Sequence, residues 1–143
     1  MNLLVTGGCG FIGSNFVKLA IKKRSAVKRL VILDSLTYAG SYENIRDEVD
    51  DHHKVKFVNV DLKDERYVNQ VFEKHRITHV IHFAAETHVD NSISGPRPFV
   101  ESNIVGTFNL LEACRKYEVE RLHHISTDEV YGELGEKGKF SEV

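Results

Sequence analysis

Short β-branched runs alternate with helix-like segments along the chain, and this alternation limits the fold more than any other feature. Five apolar runs predict strands, at residues 2–6, 29–33, 54–60, 78–84 and 121–126. The intervening patterns predict helices at about 11–23, 63–76 and 99–117, with a short one at 42–49. Strands that are apolar on both faces are typical of a parallel sheet covered by helices. Right-handed crossovers then predict an α/β fold with a doubly wound, Rossmann-type sheet.

Charge and composition exclude several classes of protein. A net charge of −2 over 143 residues gives no basic field for nucleic acid and no polybasic face for a membrane, and no apolar run is long enough to span one. Met1 is followed by a predicted strand and not by an export signal, so we expect a cytoplasmic protein. Cys9 and Cys114 fit no metal or redox spacing, and the adjacent histidine pairs would point to opposite faces of a strand. We therefore expect no metal site.

A glycine-rich turn joins the first strand to the first helix, within "VTGGCGFIGSNF" at 5–16. Gly7, Gly10 and Gly13 are spaced so that the chain can turn tightly, approach a pyrophosphate with backbone N–H groups, and pack helix on strand. The helix N-terminus adds the positive end of its dipole. A glycine triplet alone is a weak signal, but its position between strand and helix favours a dinucleotide site.

Acidic residues at the ends of the next two strands extend this prediction. Asp34 follows Gly13 by about 20 residues, the spacing of a carboxylate that binds the adenosine ribose hydroxyls. A carboxylate there would repel a 2′-phosphate, so NAD is favoured over NADP. Asp61 ends the third strand, where it could meet the adenine edge, although it could almost equally cap the following helix. The sequence thus predicts NAD as the cofactor.

Three further stretches carry a family resemblance: "FAAETHVDNSI" (83–93), "NIVGTFNLLEA" (103–113) and "STDEVYG" (126–132). With the glycine turn, they resemble the N-terminal part of the dTDP-glucose 4,6-dehydratases, in the extended short-chain dehydrogenase/reductase superfamily. The resemblance covers essentially all 143 residues. Its most specific part is Thr127–Asp128–Glu129, because related epimerases usually have a small residue there and related decarboxylases tend to have T-S-E.

The resemblance implies a set of contacts with NAD and with a nucleotide-sugar substrate. Besides the three glycines, the implied cofactor contacts are Phe11 and Ile12 under the pyrophosphate, Asp34, Ser35, Leu36 and Thr37 around the ribose, Asp61 and Leu62 at the adenine, and Phe83, Ala84, Ala85, Glu86, Thr87 and Ser102 towards the nicotinamide. Thr87 and Thr127 would also contact the sugar.

The resemblance also implies a reaction: transient oxidation at sugar C4, loss of water across C5–C6, and hydride return to C6. Elimination then needs a base for the C5 proton and an acid for the C6 hydroxyl. Glu129 would be the base and Asp128 the acid, while Thr127 would hydrogen-bond the C4 oxygen. Repulsion and unequal burial can keep one of two neighbouring carboxyl groups protonated while the other is ionised.

The superfamily's Tyr-x-x-x-Lys pair is not found here, because none of the five tyrosines has lysine four positions later. We therefore expect residues 1–143 to form an incomplete NAD-binding domain, with the Tyr–Lys pair and the substrate domain lying beyond it. Such a chain would bind NAD without turnover and would expose apolar surface beside the last strand and helix 99–117. In the family, that helix would contribute to a homodimer.

Three alternatives remain open from the sequence. One is another NAD-dependent nucleotide-sugar enzyme, an epimerase or a decarboxylase, against which Asp128 argues. A second is a non-catalytic NAD sensor, which the missing Tyr-x-x-x-Lys favours. The acid pair, Asp128 and Glu129, argues against it. A plain interaction domain would leave the glycine turn, Asp34 and the acid pair unexplained.

Overall fold

The core of the protein is a five-stranded parallel sheet. The computed structural model describes residues 1–23, 27–135 and 138–142. Its strands are β1 Asn2–Thr6, β2 Arg29–Asp34, β3 Val55–Asn59, β4 His79–His82 and β5 Arg121–His124. They are arranged in the order β3-β2-β1-β4-β5, with every neighbouring pair parallel. This is the strand order of a doubly wound Rossmann sheet, so the predicted fold class is confirmed.

The helices connect these strands. The α-helices are α1 Phe11–Lys22, α2 Arg46–Asp50, α3 Glu65–His75, α4 Val89–Ser94, α5 Arg97–Phe99 and α6 Thr107–Lys116. A π-helix, Val100–Gly106, joins α5 to α6, and two 3₁₀ helices cover Tyr42–Asn44 and Asp128–Tyr131. The helix predicted at 42–49 is therefore split in two, and α4 was not predicted. No helix within the described ranges is long and apolar enough to cross a membrane.

The boundaries of α3 follow from local chemistry. Its N-cap is Asp64, whose carboxylate accepts a hydrogen bond from the Tyr67 N–H at 3.2 Å. Its C-cap is Arg76, which takes a left-handed conformation with φ 51°. Between them, Val68 and Phe72 lie on the buried face. Asp61 is therefore not the cap of this helix, so the helix-cap interpretation of Asp61 is wrong.

Alternating residues of the strands fill two cores, one on each face of the sheet. Leu4 packs in the core that contains side chains of α3 and α6. Its neighbours Leu3 and Val5 pack in the core that contains Val17 of α1. Helices on both faces are what the continuous apolar strands predict.

Apolar side chains remain exposed on the helical segment 97–116. Ile104 is 64% exposed and Phe108 is 59% exposed, and Leu111 is also exposed one turn further on. Residues spaced by four and three positions lie on the same side of a helix, so these three form one stripe. The structure therefore exposes apolar surface on this helix, as the sequence predicts.

A buried polar chain links β1, β4 and α6 on one face of the sheet. One ring nitrogen of His82 lies 2.6 Å from the Thr6 hydroxyl, and the other lies 3.1 Å from the Thr107 hydroxyl. The His82 side chain is only 1% exposed. Burial, and to a lesser degree the neighbouring His124, lowers the pKa of His82 to about 4. The imidazole is therefore neutral at physiological pH and joins the two hydroxyl groups.

This burial predicts a loss of stability in mild acid. An unfolded histidine takes up a proton near its ordinary pKa of 6.5, whereas His82 resists protonation until about pH 4. Protonation in that window favours the unfolded state and should lower the unfolding free energy by about 3 kcal/mol. Urea titrations between about pH 6.5 and pH 4 should show a smaller loss of unfolding free energy for folded His82→Asn than for the wild-type protein. Equal losses in both proteins would contradict the role assigned to His82.

Candidate functional site

A cleft lies at the carboxyl ends of the central strands, where the sheet changes direction. β1 pairs with β2 on one side and with β4 on the other, and ligands of doubly wound sheets bind at this switch point. Predicted cofactor residues that line the cleft are Gly7, Gly10, Asp34, Ser35, Thr37, Asp61, Leu62, Phe83, Ala84, Ala85, Glu86 and Ser102. Four residues not predicted from the sequence also line it: Leu33, Ala39, Gly40 and Val60.

Five of the predicted cofactor residues do not line the cleft itself. Phe11 and Ile12 lie in the first turn of α1, where their side chains are 85% and 61% exposed. Gly13 is buried behind them, and Leu36 packs against the α1-side core. Thr87 is exposed beyond the end of β4. Any contact of these residues with a cofactor stays a prediction.

The glycine turn has two kinds of glycine. Gly7 has φ +68°, and a Cβ there would lie 2.6 Å from the Ala84 backbone nitrogen. A Cβ on Gly13 would lie 2.1 Å from the Gly7 carbonyl oxygen. Both glycines are therefore needed for the chain to fold back on itself.

Gly10 is different, because a Cβ there would come no closer than 3.4 Å to another protein atom. It lines the cleft and precedes α1 without supplying a side-chain cap. The first backbone N–H groups of a helix have no acceptor within the helix, so they are available to an anion. The open position and the uncapped helix end fit a pyrophosphate group.

Asp34 fixes the other wall of the cleft. Its carboxylate accepts hydrogen bonds from the N–H groups of Cys9 and Leu36, both at 2.9 Å. The side chain is 8% exposed. It therefore joins the glycine turn to the loop after β2 and still lines the cleft, as a ribose-binding carboxylate must. Burial, and to a lesser extent Asp34, raises the pKa of the Cys9 thiol to about 12, so this cysteine is not a nucleophile.

Asp61 is held at the edge of the cleft by its own turn. One carboxylate oxygen accepts the Lys63 N–H at 2.9 Å, and the other lies 3.3 Å from the Lys63 ammonium. Asn109 of α6 donates to the carbonyl oxygens of Leu62 and Lys63, at 2.9 and 3.1 Å. The loop after β3 is thus tied to α6.

The segment after β4 is positioned by residues that the sequence reasoning missed. The side-chain amide of Asn103 donates to the Glu86 carbonyl and accepts the Glu86 N–H, each at 2.8 Å. The Tyr38 hydroxyl donates to the Glu86 carboxylate at 2.9 Å, which raises the Tyr38 pKa above its ordinary value. Asn103 belongs to the π-helix, a rare form that occurs often at functional sites. The sequence shows only that Asn103 is a polar residue within the helix predicted at 99–117, which does not identify its partner.

The acid pair lies at the same edge of the sheet as the cleft but does not line it. Asp128 and Glu129 begin a 3₁₀ helix after β5, and Thr127 is its N-cap. All three side chains are exposed. A hydrogen bond from Thr127 is the main cause of a lowered pKa at Glu129. Glu129 is therefore ionised and able to accept a proton.

The described residues offer two possible kinds of chemistry at this edge. Backbone N–H groups, Asp34 and the segment after β4 could hold a dinucleotide, and the carboxylates after β5 could transfer protons. Within residues 1–23, 27–135 and 138–142, no group of three or more metal-binding side chains comes together.

The chain is similar to nucleotide-sugar enzymes along nearly its whole length. A family model described as GDP-mannose 4,6 dehydratase matches residues 4–143. A dTDP-glucose 4,6-dehydratase from Mycolicibacterium smegmatis is 48% identical, over 100% of this chain and 42% of its own length. The chain spans about two-fifths of the length of the curated relatives it matches.

Solved structures show the same relationship. A dTDP-glucose 4,6-dehydratase from Streptomyces venezuelae, crystallised with NAD, is 41% identical with a TM-score of 0.85, over 97% of this chain and 43% of that one. A UDP-glucose 4-epimerase from Thermus thermophilus, also crystallised with NAD, is 40% identical with a TM-score of 0.85, over 99% and 43% of the two chains. Because the family model covers all but the first residues, this chain belongs to the GDP-mannose 4,6 dehydratase family and corresponds to the N-terminal portion of the dTDP-glucose 4,6-dehydratases.

Proposed function

We propose that this chain binds NAD in the cleft and carries the acid–base pair of a dTDP-glucose 4,6-dehydratase. The observation that carries the proposal is the open position at Gly10, before the uncapped first turn of α1. Gly7 and Gly13 are explained by packing within the protein, whereas Gly10 has no such explanation. Relatives crystallised with NAD support the choice of cofactor.

The lining residues support one orientation of the dinucleotide. The pyrophosphate would lie at Gly10 and the first turn of α1, because the free N–H groups are there. The adenosine would lie towards Asp34 and Asp61, at the ends of β2 and β3. The nicotinamide would lie along the segment after β4, beside Ser102. In this orientation the reacting end of the cofactor faces the strand that precedes the acid pair.

A charge-removing substitution at Asp34 tests the NAD preference. In Asp34→Asn, the repulsion of a 2′-phosphate is lost together with the ionic acceptor for the ribose hydroxyls. We expect NAD affinity to fall about tenfold and the NADP-to-NAD affinity ratio to rise. Calorimetric titration of folded protein with each dinucleotide measures both, and exposed Asp47→Asn is the matched control. An unchanged ratio in Asp34→Asn would contradict this assignment.

The acid pair supports elimination chemistry in the whole enzyme. Bound NAD, held by Gly10, Asp34 and the segment after β4, would supply the hydride chemistry at sugar C4 and C6. Glu129, held ionised by its bond to Thr127, would remove the C5 proton, which a C4 ketone makes acidic. Asp128 would protonate the departing C6 hydroxyl. Because the Tyr-x-x-x-Lys pair that would act at the C4 hydroxyl is not in this sequence, we propose no turnover by residues 1–143 alone.

An epimerase is the second candidate, because the Thermus thermophilus epimerase shares the fold with a TM-score of 0.85. The fold and the cleft would serve either reaction, since function lies in the site and not in the fold. Asp128 separates the two, because an epimerase has no leaving hydroxyl to protonate. The dehydratase is therefore the function that these residues support better.

The exposed stripe of Ile104, Phe108 and Leu111 supports a homodimer. Apolar stripes of this kind on a surface helix are typical of subunit contacts. We expect the chain to self-associate, and Phe108→Glu to weaken association at least about tenfold by placing a charge in the contact. Sedimentation velocity over a concentration series measures this, with Tyr67→Glu, an exposed site on α3, as the control. A wild-type protein that stays monomeric would contradict the proposed contact.

A further inference from the structure

A second groove lies at the amino ends of β2 and β3, the end of the sheet opposite the cleft. It is lined by Arg29, Lys56, Lys74, His53 and His75, together with two apolar residues of β3. No carboxylate is among the lining residues of the described chain. The groove is therefore uniformly basic in a protein whose net charge is −2.

The cations are brought together by the sheet and by α3. Lys56 pairs in register with Val31, and Arg29 lies two residues before Val31, so all three side chains share one face of the sheet. Lys74 belongs to the last turn of α3, which covers that face. In the part of the chain that the structure describes, none of these three cations forms an ion pair within 4.0 Å. Unpaired like charges in one groove repel each other, so the fold alone gives no reason for the cluster.

His75 is the unusual member of the groove. Its side chain is buried, with only 8% of the residue exposed, yet its ring makes no hydrogen bond with any residue that the structure describes. No fully buried side-chain nitrogen or oxygen among those residues lacks a partner. The ring is therefore not sealed from solvent, and His75 is one of the residues that line the groove. Burial, followed by the charges of Arg29, Lys74 and Lys56, lowers its pKa below the ordinary value.

Stabilisation of the α3 C-terminus is the simpler explanation for part of this cluster. Cations in the last turn favour the negative end of the helix dipole, which would account for Lys74 and His75. The carbonyl groups of His75 and Arg76 already accept hydrogen bonds from the Asn2 amide, at 3.2 and 2.8 Å. Helix stabilisation also leaves Arg29 and Lys56 unexplained, because these residues come from the strands.

We propose that this groove binds a compact tetrahedral dianion, either free or as a phosphate monoester, with His75 donating a hydrogen bond and Arg29, Lys56 and Lys74 supplying the charge. A dianion would relieve the repulsion among the cations and give the His75 ring a charged hydrogen-bond acceptor. The site is separate from the cleft, because the two lie at opposite ends of the parallel strands.

Binding at this groove should depend on pH in one direction. The charged groups that act on His75 are Arg29 from β2, Lys56 from β3 and Lys74 from α3, and His53 from the turn before β3 lines the same groove. A dianion favours the protonated imidazole, so affinity should rise as pH falls through the histidine range. We expect sulfate to bind roughly threefold or more tightly at about pH 6 than at about pH 8. Sulfate keeps its charge over this range, and His53→Gln separates the contribution of the second histidine.

The test follows the His75 ring by NMR, with its resonance assigned from His75→Gln. Sulfate is compared with chloride at equal ionic strength, and glycerol phosphate serves as the monoester. We expect sulfate to raise the pKa of His75, and glycerol phosphate to do so above its own second pKa of about 6, where it is a dianion. A larger effect of glycerol phosphate than of sulfate in that range would identify the bound form of the anion as an ester. The readout is local, so sulfate bound in the cleft would not affect it.

Two charge-removing variants complete the experiment. Lys56→Gln should weaken the sulfate response of His75 at least about fivefold, whereas Lys18→Gln on α1 should leave it unchanged. An equal effect of the two variants would mean that the His75 response depends only on the overall charge of the protein, and it would overturn the proposal. A His75 titration that is the same in sulfate and chloride would also overturn it.

Discussion

Gly13→Ala is expected to lower the unfolding free energy by about 3 kcal/mol or more, with a drop in Tm on the order of 10 °C. The added Cβ would lie 2.1 Å from the Gly7 carbonyl oxygen and 2.9 Å from the Gly8 Cα. Both neighbours are backbone atoms, so no side chain can rotate away and α1 must move off the glycine turn. Thermal and urea unfolding followed by circular dichroism measure the loss.

Gly10→Ala is the matched control for this substitution. A Cβ at Gly10 would come no closer than 3.4 Å to the Gly7 oxygen, and its φ of −76° suits alanine. We expect Tm to stay within about 2 °C of wild type while NAD affinity falls at least about tenfold. A stable Gly13→Ala would show that the turn is looser than the structure indicates. Unchanged NAD affinity in Gly10→Ala would remove the evidence for a pyrophosphate there.

Substitution of the acid pair should have the largest effect on activity, between about 100- and 10,000-fold on elimination. The measurement needs a chain of the relatives' length, such as residues 1–143 in place of the corresponding part of the Mycolicibacterium smegmatis enzyme. Glu129→Gln should lose both water elimination and exchange of the C5 proton with solvent deuterium. Asp128→Asn should lose elimination but retain exchange, because the base is still present.

Exposed Glu133→Gln is the control for these variants, since Glu133 lies close in sequence and has no proposed role. Exchange lost in Asp128→Asn and retained in Glu129→Gln would reverse the two roles. Elimination at the wild-type rate in both variants would exclude the pair from the reaction. The result therefore separates the base from the acid as well as testing the pair.

The fold was predictable because it depends on periodicity and strand composition. The apolar run 30–33 is buried on both faces, and β2 is an interior strand between β3 and β1 with Val31 and Ile32 in opposite cores. The ends of elements were less predictable. The fourth strand was expected over 78–84, but β4 spans His79–His82, and Phe83 and Ala84 beyond it line the cleft.

The cofactor residues were predictable where spacing along one element determines their position. Gly7, Gly10 and Asp34 meet at the cleft because β1 and β2 are adjacent parallel strands that end together. The family prediction is confirmed, and relatives have been crystallised with NAD. The individual contacts with cofactor and substrate stay predictions.

Residues that act through tertiary contacts were not predictable. Asn103 holds Glu86 with two hydrogen bonds across 17 positions, and Tyr38 reaches the same residue across 48. No local pattern encodes such distant pairing. The π-helix was also missed, since its residues have an ordinary helical sequence.

Calorimetric titration of residues 1–143 with NAD tests the central claim most directly. The account predicts saturable binding at one site per chain, with NADP at least about tenfold weaker because of Asp34. Binding should weaken in Gly10→Ala while circular dichroism stays that of the folded protein. Folded protein that gives no saturable heat with NAD, or that binds NADP equally well, would contradict the account.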